Sequence, residues 1–376
     1  MRMVRLLSFI TAAALLSVTG CEKRKDTAEF DIKGSMELKY SEQFRVDYCE
    51  NGCSVVDIDG AKYLIVPEDV DIPDDTTGMT VIKQPVENIY VAATSAMDLF
   101  DSIGGLNRVT MTSTTADSWS LPVVKDAVSS GDIEYIGKYS SPDYETLVAE
   151  KCGLALESTM IYHTPKVKEQ LESFDIPVMV ERSSYETHPL GRMEWVKLYG
   201  LILGDYEAAE QLFSEKTKAF EELSVGDIPD TERKTAAFFY VTSNGYFNIR
   251  KPADYVARMI GLAGGKYIFT ADDLSVDDNA LSTMNIQAET FYELAHDADI
   301  LIYNSTIDGE LNTIDELIGK NSILADFRAV RERNVWCTGQ NMFQQTTGAA
   351  DMICDLNSIF TDKADSAELT YLHRLD

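Results

Sequence analysis

The stretch Tyr185–Leu223, YETHPLGRMEWVKLYGLILGDYEAAEQLFSEKTKAFEEL, has the periodicity of two consecutive helices. Pro189 stands where a first helical turn would begin, because the fixed φ of proline suits that position and its missing N–H is not needed there. Asp205, directly after Gly204, is placed to cap a second helix. That second helix would cover roughly 20 residues, or about 30 Å at 1.5 Å per residue. A helix of this length between two α/β halves would act as a rigid strut that joins them. This arrangement predicts a cleft between two lobes.

Strand-like and helix-like segments alternate on both sides of this stretch, which favours doubly wound sheets with parallel strands. Ile89–Ala93 and Val178–Val180 are short apolar runs before it, and Thr235–Val241 and Asp299–Tyr303 are their counterparts after it. Residues 242–252 are predicted to form a loop. We therefore expect an α/β fold of two doubly wound, Rossmann-like lobes joined by a long α-helix.

Residues 30–85 have a different pattern, in which apolar residues alternate with a period of two around turns such as Asn51-Gly52 and Asp59-Gly60. They predict a small N-terminal β appendage of two or three antiparallel strands. The expected division of the chain is a signal peptide (1–20), a lipid-anchored tether (21–29), the β appendage (30–85), an N-terminal α/β lobe (86–186), linking helices (187–226) and a C-terminal α/β lobe (227–376).

The first 20 residues are typical of a secretory signal. Arg2 and Arg5 precede the apolar run Leu6–Val18, which is too short for a comfortable transmembrane helix. The run ends in Ser-Val-Thr-Gly-Cys, which resembles a bacterial lipobox with Cys21 as the lipidated residue; the alternative is an ordinary secretory signal whose cysteine is coincidental. With the lipid attached, we expect anchoring to the cell membrane on its outer side, facing either the periplasm or the extracellular medium.

The net charge indicates which partners the chain can bind, and the cysteine spacing indicates which disulfide it can form. Removal of residues 1–20 takes away two of the 33 basic residues and none of the 62 acidic ones, which leaves a formal charge of −31. Such acidity argues against nucleic acid as a partner. Of the five cysteines after Cys21, Cys49 and Cys53 flank a turn, and a disulfide between them is one prediction for an oxidising compartment.

Catalytic signatures are absent from the sequence, which contains no GxSxG, HExxH, P-loop lysine or strand-linked GxGxxG motif. We therefore expect a binding protein rather than an enzyme, with no cofactor and no metal ligated directly by side chains. Polar and aromatic residues instead follow the predicted strands, at the sheet edge where open α/β sheets bind ligands. Hydroxyls, rings and arginines suit a large polar ligand such as an anionic metal chelate. The candidate ligand-binding residues are Ser95, Ser113, Trp119, Tyr139, Ser140, Glu157, Ser158, Arg182, Tyr185, Tyr240, Tyr246, Arg250, Tyr303 and Gln345.

Three segments carry a resemblance to a known family: NIYVAATSAMDLFDSIGGLNRV, IGKYSSPDYETLVAEKCGLALES and HPLGRMEWVKLYGLILGDYEAAEQLF. Over about residues 85–360 the chain resembles the class III solute-binding proteins of ABC importers, of the iron–siderophore and cobalamin type. The resemblance implies a monomer that binds a ferric chelate between two lobes and delivers it to a permease and its ATPase. It further implies that an acidic residue on each lobe docks onto the permease, here Glu145 in PDYETL and Glu289 in IQAETFYEL. Corrinoid or haem binding, and a sensor or adhesin that has lost transport, remain the alternatives.

Overall fold

The structure, a computed structural model, describes residues 28–223, 229–364 and 369–376. Within these residues the chain forms four β-sheets together with the helices of the lobes and the helices that link them. The predicted signal peptide, the lipidation site Cys21 and the start of the tether lie outside these residues. No helix within them is long and apolar enough to cross a bilayer.

The N-terminal sheet has five strands in the order of the sequence rather than the two or three predicted. The first four pair antiparallel, but the last two run parallel because residues 67–78 carry the chain back across the sheet before the fifth strand begins. The strands are β1 (Ile32–Ser35), β2 (Phe44–Cys49), β3 (Ser54–Ile58), β4 (Ala61–Val66) and β5 (Met79–Lys83).

Cys49 and Cys53 face each other across the β2–β3 turn, where the Cys49 N–H donates to the Cys53 carbonyl at 2.9 Å. The structure holds both as free, buried thiols rather than as the predicted disulfide. Burial raises the pKa of both thiols, which favours the protonated form. The pairing stays a prediction.

The N-terminal lobe contains a five-stranded sheet in the order β12-β11-β6-β7-β8, in which every pair is parallel. Its inner strands β6 and β11 are buried on both faces, as parallel strands covered by helices are. Its elements are β6 (Ile89–Val91), α1 (Thr94–Ser102), β7 (Val109–Thr112), α2 (Pro122–Ser130), β8 (Glu134–Tyr135), a small hairpin of β9 (Gly137–Lys138) and β10 (Ser141–Pro142), α3 (Tyr144–Ala149), β11 (Leu154–Ser158), α4 (Pro165–Ser173) and β12 (Val178–Glu181).

The C-terminal lobe has a mixed sheet with a parallel centre and antiparallel edges. The segment predicted as a loop after Val241 contains a strand, β14, because the turn at Gly245 (φ +79°) returns the chain onto the preceding strand. The elements are β13 (Thr235–Val241), β14 (Phe247–Arg250), α8 (Tyr255–Leu262), β15 (Lys266–Tyr267), α9 (Ala271–Leu274), β16 (Thr283–Ile286), α10 (Ala288–Ala295), β17 (Ile300–Tyr303), α11 (Ile314–Lys320), α12 (Arg328–Arg331), β18 (Val335–Thr338), α13 (Ala349–Phe360) and β19 (Leu372–Arg374).

Three helices connect the lobes: α5 (Pro189–Glu194), α6 (Val196–Leu203) and α7 (Tyr206–Glu221). The chain reverses at Gly204 (φ +82°), so that α6 folds back on α7; a Cβ added to Gly200 would lie 2.5 Å from the Ala209 Cβ. Helix α6 packs against α1 of the first lobe and α7 against α13 of the second. The two-lobed α/β fold class is confirmed, and the predicted strut is the 16-residue α7, preceded by two shorter helices.

Candidate ligand-binding cleft

A cavity of about 520 Å³ lies between the lobes, within the size range of small-molecule sites. The first lobe lines it with residues that follow the carboxyl ends of β6, β11 and β12, the edge at which open α/β sheets bind ligands. The second lobe contributes the end of β14, the start of α8, and Phe343. Helix α5 contributes one residue, Arg192.

Two arginines and two aromatic rings form one wall of this cavity. The Arg192 Cζ lies 4.0 Å from the centroid of the Tyr255 ring, and the Arg250 Cζ lies 4.5 Å from that of Phe343. Arg192 is only 9% exposed, and its Nε has no hydrogen-bond partner within the described residues. A guanidinium stacked on a ring keeps its N–H edge directed away from that ring, where a carboxylate or another planar anion can pair with it.

Two buried carboxyls, Glu181 and Asp254, lie beside these arginines. Burial raises the pKa of both, and the positive charges of the cavity oppose that rise: Arg192 for Glu181, and Arg250 with Arg192 for Asp254. Each carboxyl accepts from a backbone N–H, since Glu181 bonds Ser183 N at 2.8 Å and Asp254 caps α8 through Val256 N at 3.0 Å. The closest Arg250–Asp254 contact is 3.7 Å, longer than a hydrogen bond, so the arginine N–H groups remain available to a ligand.

The cavity includes four of the candidate residues from the sequence: Ser95, Ser158, Tyr185 and Arg250. Arg182 lies close by but pairs with Asp59 of the N-terminal sheet at 2.9 Å and stacks on the Tyr185 ring. Its charge is therefore neutralised from outside the cavity.

Trp119 and Gln345 line a second cavity between the lobes, of about 580 Å³. Gln345 also lines a small pocket with Arg192, Tyr255 and Phe343, whereas Trp119 does not. Trp119 is 3% exposed, and its Nε1 donates to the Thr114 carbonyl at 3.3 Å. Next to it, Ser120 N and Oγ both donate to Gln344 Oε1 at 2.8 Å, which joins the two lobes directly. Trp119 therefore does not line the arginine cavity.

The remaining candidates do not line the arginine cavity. Glu157 and Tyr303 are fully buried in the cores of their lobes, and Tyr240 lines a separate groove on the second lobe. Strand geometry explains why Glu157 does not line the cavity. Successive strand residues point to opposite faces, so Glu157 lies in the core while Ser158 lies at the cavity. The others, which lie outside the cavity lining, are Ser113, Tyr139, Ser140 and Tyr246.

Five residues of the cavity lining were not among the candidates from the sequence: Arg192, Glu181, Asp254, Tyr255 and Phe343. Arg192 could have been noticed in the sequence, because it interrupts an apolar run. In the structure this run forms a helix whose residues are all buried. Charged residues are rarely buried without a partner or a function. Phe343 follows a region with no regular pattern, and nothing in the sequence brings it to the cleft. Within the described residues, no group of three or more His, Cys, Asp or Glu side chains is arranged to hold a metal ion.

Glu157 gives a prediction on stability. Neither carboxyl oxygen has a hydrogen-bond partner in the described structure, and burial raises the pKa to about 8 from the ordinary 4.5. The folded state therefore keeps a proton that the unfolded state releases, so this group lowers the free energy of unfolding as pH rises from about 4.5 to 8. Glu157→Gln should differ little from the wild type at pH 5 and be more stable by on the order of 3 kcal/mol at pH 8.

Denaturant unfolding at both pH values measures this effect, with the exposed Glu150→Gln as the control. A stability difference that is the same at pH 5 and pH 8 would contradict the assignment.

Comparison with known proteins places this geometry in context. No family model matches the chain. The chain is 25% identical over 364 residues to the uncharacterized lipoprotein MJ0872 of Methanocaldococcus jannaschii, covering 88% of each chain. It is 24% identical over 365 residues to the uncharacterized lipoprotein MJ0878 of the same organism, covering 89% of this chain and 84% of the relative.

Solved structures share the two-lobed architecture. The periplasmic haem-binding protein HutB of Vibrio cholerae matches with a TM-score of 0.56 at 16% identity, over 71% of this chain and 97% of its own. A periplasmic haem-binding protein of Pseudomonas aeruginosa matches with a TM-score of 0.59 at 14% identity, over 77% and 98%. The catecholate-siderophore-binding protein VctP of Vibrio cholerae matches with a TM-score of 0.56 at 15% identity, over 74% and 95%. The chain therefore has the fold of the class III periplasmic solute-binding proteins, as the sequence resemblance implied.

Proposed function

We propose that this chain, which has the class III solute-binding fold, is the lipid-anchored binding protein of an ABC importer and captures an anionic metal chelate, of the ferric-siderophore type, between its lobes. The observation that carries the proposal is the buried Arg192 guanidinium, whose Nε lacks a partner at a cavity of ligand size. A buried N–H left without an acceptor costs about 1–3 kcal/mol, and an anionic ligand would supply an acceptor to this guanidinium.

The aromatic rings support a ligand that combines charge with a planar part. Tyr255 and Phe343 stack on the two arginines, and the exposed Tyr185 lies on the cavity wall as well. Catecholate and carboxylate chelates offer flat, negatively charged groups to such a wall. Haem and corrinoids also carry acidic or amide groups around a planar ring, so they are the competing outcomes of the binding test.

Delivery to a permease is supported by the placement of Glu145 and Glu289. Each is exposed in the first turn of its helix, α3 of one lobe and α10 of the other, where the helix dipole favours a carboxylate. Two exposed carboxylates, one on each lobe, can contact a partner that spans both. Membrane attachment through Cys21 is supported by the lipobox-like sequence and by the names of the two archaeal relatives.

The proposal is tested by calorimetric titration of the soluble chain from Glu22 onward with ferric citrate, a ferric catecholate, a ferric hydroxamate, haem and cobalamin. We expect saturable binding of one ligand per chain for an anionic ferric chelate. Binding of haem or cobalamin alone would replace the chelate proposal with the corresponding alternative. Folded protein that binds none of the five would contradict a transport role and favour the sensor or adhesin.

A further inference from the structure

The loop between β1 and β2 of the N-terminal sheet lies against the linking helix α5. Glu194, the last residue of α5, is fully buried and accepts the backbone N–H groups of Lys39, Tyr40 and Ser41 at 2.8 to 3.1 Å. Its charge is compensated by the buried Lys197, whose Nζ lies 3.0 Å from Glu194 Oε1. One carboxylate thus binds three consecutive backbone donors of the loop.

A second buried carboxylate continues this pattern. Glu186, which precedes α5, accepts from the backbone N–H groups of Glu42 and Gln43 at 2.8 and 3.1 Å, and from the Ser41 hydroxyl. It also accepts from Trp195 Nε1 at 2.9 Å, directly after α5. The loop Lys39–Gln43 is therefore bound by two carboxylates, Glu186 before the start of this helix and Glu194 at its end.

Close packing adds to these hydrogen bonds. A Cβ added to Gly191, in the middle of α5, would lie 2.8 Å from the Tyr40 carbonyl oxygen, so the loop backbone lies directly on the helix. The Tyr40 ring stacks on His188 with centroids 4.5 Å apart, and His188 Nδ1 accepts from Leu190 N to cap α5. Burial lowers the pKa of His188 to about 4, which keeps the ring neutral and able to accept at neutral pH.

Helix α5 has only six residues, too few to be stable without tertiary contacts. Its N-terminal cap, its middle and its C-terminal residue all contact the loop or a residue held by it. The same helix carries Arg192 to the opposite side, against Tyr255 of the second lobe. The loop of the N-terminal sheet and the cleft arginine therefore meet on the same short helix.

We propose that the loop Lys39–Gln43 is a positioning element of the ligand site, which fixes α5 so that Arg192 faces the cavity. The N-terminal sheet then contributes to ligand binding and does more than separate the lobes from the lipid anchor. The placement of α5 stands on the contacts above; its effect on affinity rests on the proposed function.

Hydrogen exchange on the soluble chain from Glu22 onward tests the placement, using Glu194→Gln and the milder Ser41→Ala. Amides of α5 should exchange about tenfold faster or more, because hydrogen bonds to a charged acceptor are lost or weakened. Leu64→Ala is the matched control: Leu64 is fully buried in the cluster on the other side of the N-terminal sheet, so it destabilises the sheet without touching α5. Unchanged exchange of α5 in both Glu194→Gln and Ser41→Ala, or equal acceleration in the control, would overturn the proposal.

Binding of ferric citrate tests the link to Arg192. Glu194→Gln and Ser41→Ala should each weaken affinity about tenfold on their own and have no further effect in the Arg192→Met background, whereas a merely structural role would give additive losses. Additive losses would overturn the link. If the wild type does not bind ferric citrate, the exchange result still decides the placement, and the failure belongs to the proposed function.

Discussion

Replacing Arg192 with methionine is expected to weaken binding of an anionic ferric chelate by about 10- to 100-fold. A hydrogen bond to a charged group contributes about 1.5 to 3 kcal/mol, and 1.4 kcal/mol corresponds to a factor of ten. Methionine fills the space over the Tyr255 ring without supplying a charge, so the protein should stay folded. Calorimetric titration of the variant measures the change in affinity.

Arg182→Met is the matched control, because Arg182 lies near the same cavity with its guanidinium paired to Asp59. Its affinity should stay within about threefold of the wild type, as expected for loss of a partly exposed ion pair. Equal losses in the two variants would mean that the overall charge of the region, rather than Arg192 itself, recognises the ligand.

The double variant Glu145→Ala, Glu289→Ala is expected to reduce uptake of the bound chelate into cells at least about tenfold, with ligand affinity unchanged. Both carboxylates are exposed and remote from the cavity lining, so their loss removes only groups that a partner protein can contact. Truncating charged groups at an interface commonly costs more than 1.4 kcal/mol, or a factor of ten. Uptake of labelled chelate and calorimetry on the same protein separate the two effects.

Glu150→Ala with Glu293→Ala controls for charge, since both residues are exposed and follow Glu145 and Glu289 by five and four positions. This pair should leave uptake near the wild-type level. Normal uptake with the Glu145, Glu289 variant would contradict importer docking and strengthen the sensor or adhesin alternative.

The periodicity of the sequence was enough to predict the lobes, because local patterns determine strands and helices that are buried on a regular face. Thr235–Val241 forms its strand at the predicted bounds. The antiparallel edges of the second lobe were missed, since β14 follows a tight turn within a polar segment that was taken for a loop. The break between two helices at Gly204 was predicted, but nothing in the sequence indicated that the second helix folds back on the first.

The site was harder to predict than the fold because it depends on which face each side chain occupies. Ser158 and Glu157 are neighbours in the sequence, yet one lines the cavity and the other is buried in the core. Arg192 lies on α5, which is bound by a loop about 150 residues earlier in the chain, and no local pattern records such a contact.

The most direct test of the account is an iron anomalous difference map from crystals of the soluble chain with the ferric chelate that binds tightest in the titration. We expect one iron peak between the lobes, with the chelate's anionic groups within hydrogen-bond distance of Arg192 and Arg250. An iron peak in the second cavity beside Trp119, or on the outer surface of either lobe, would contradict it.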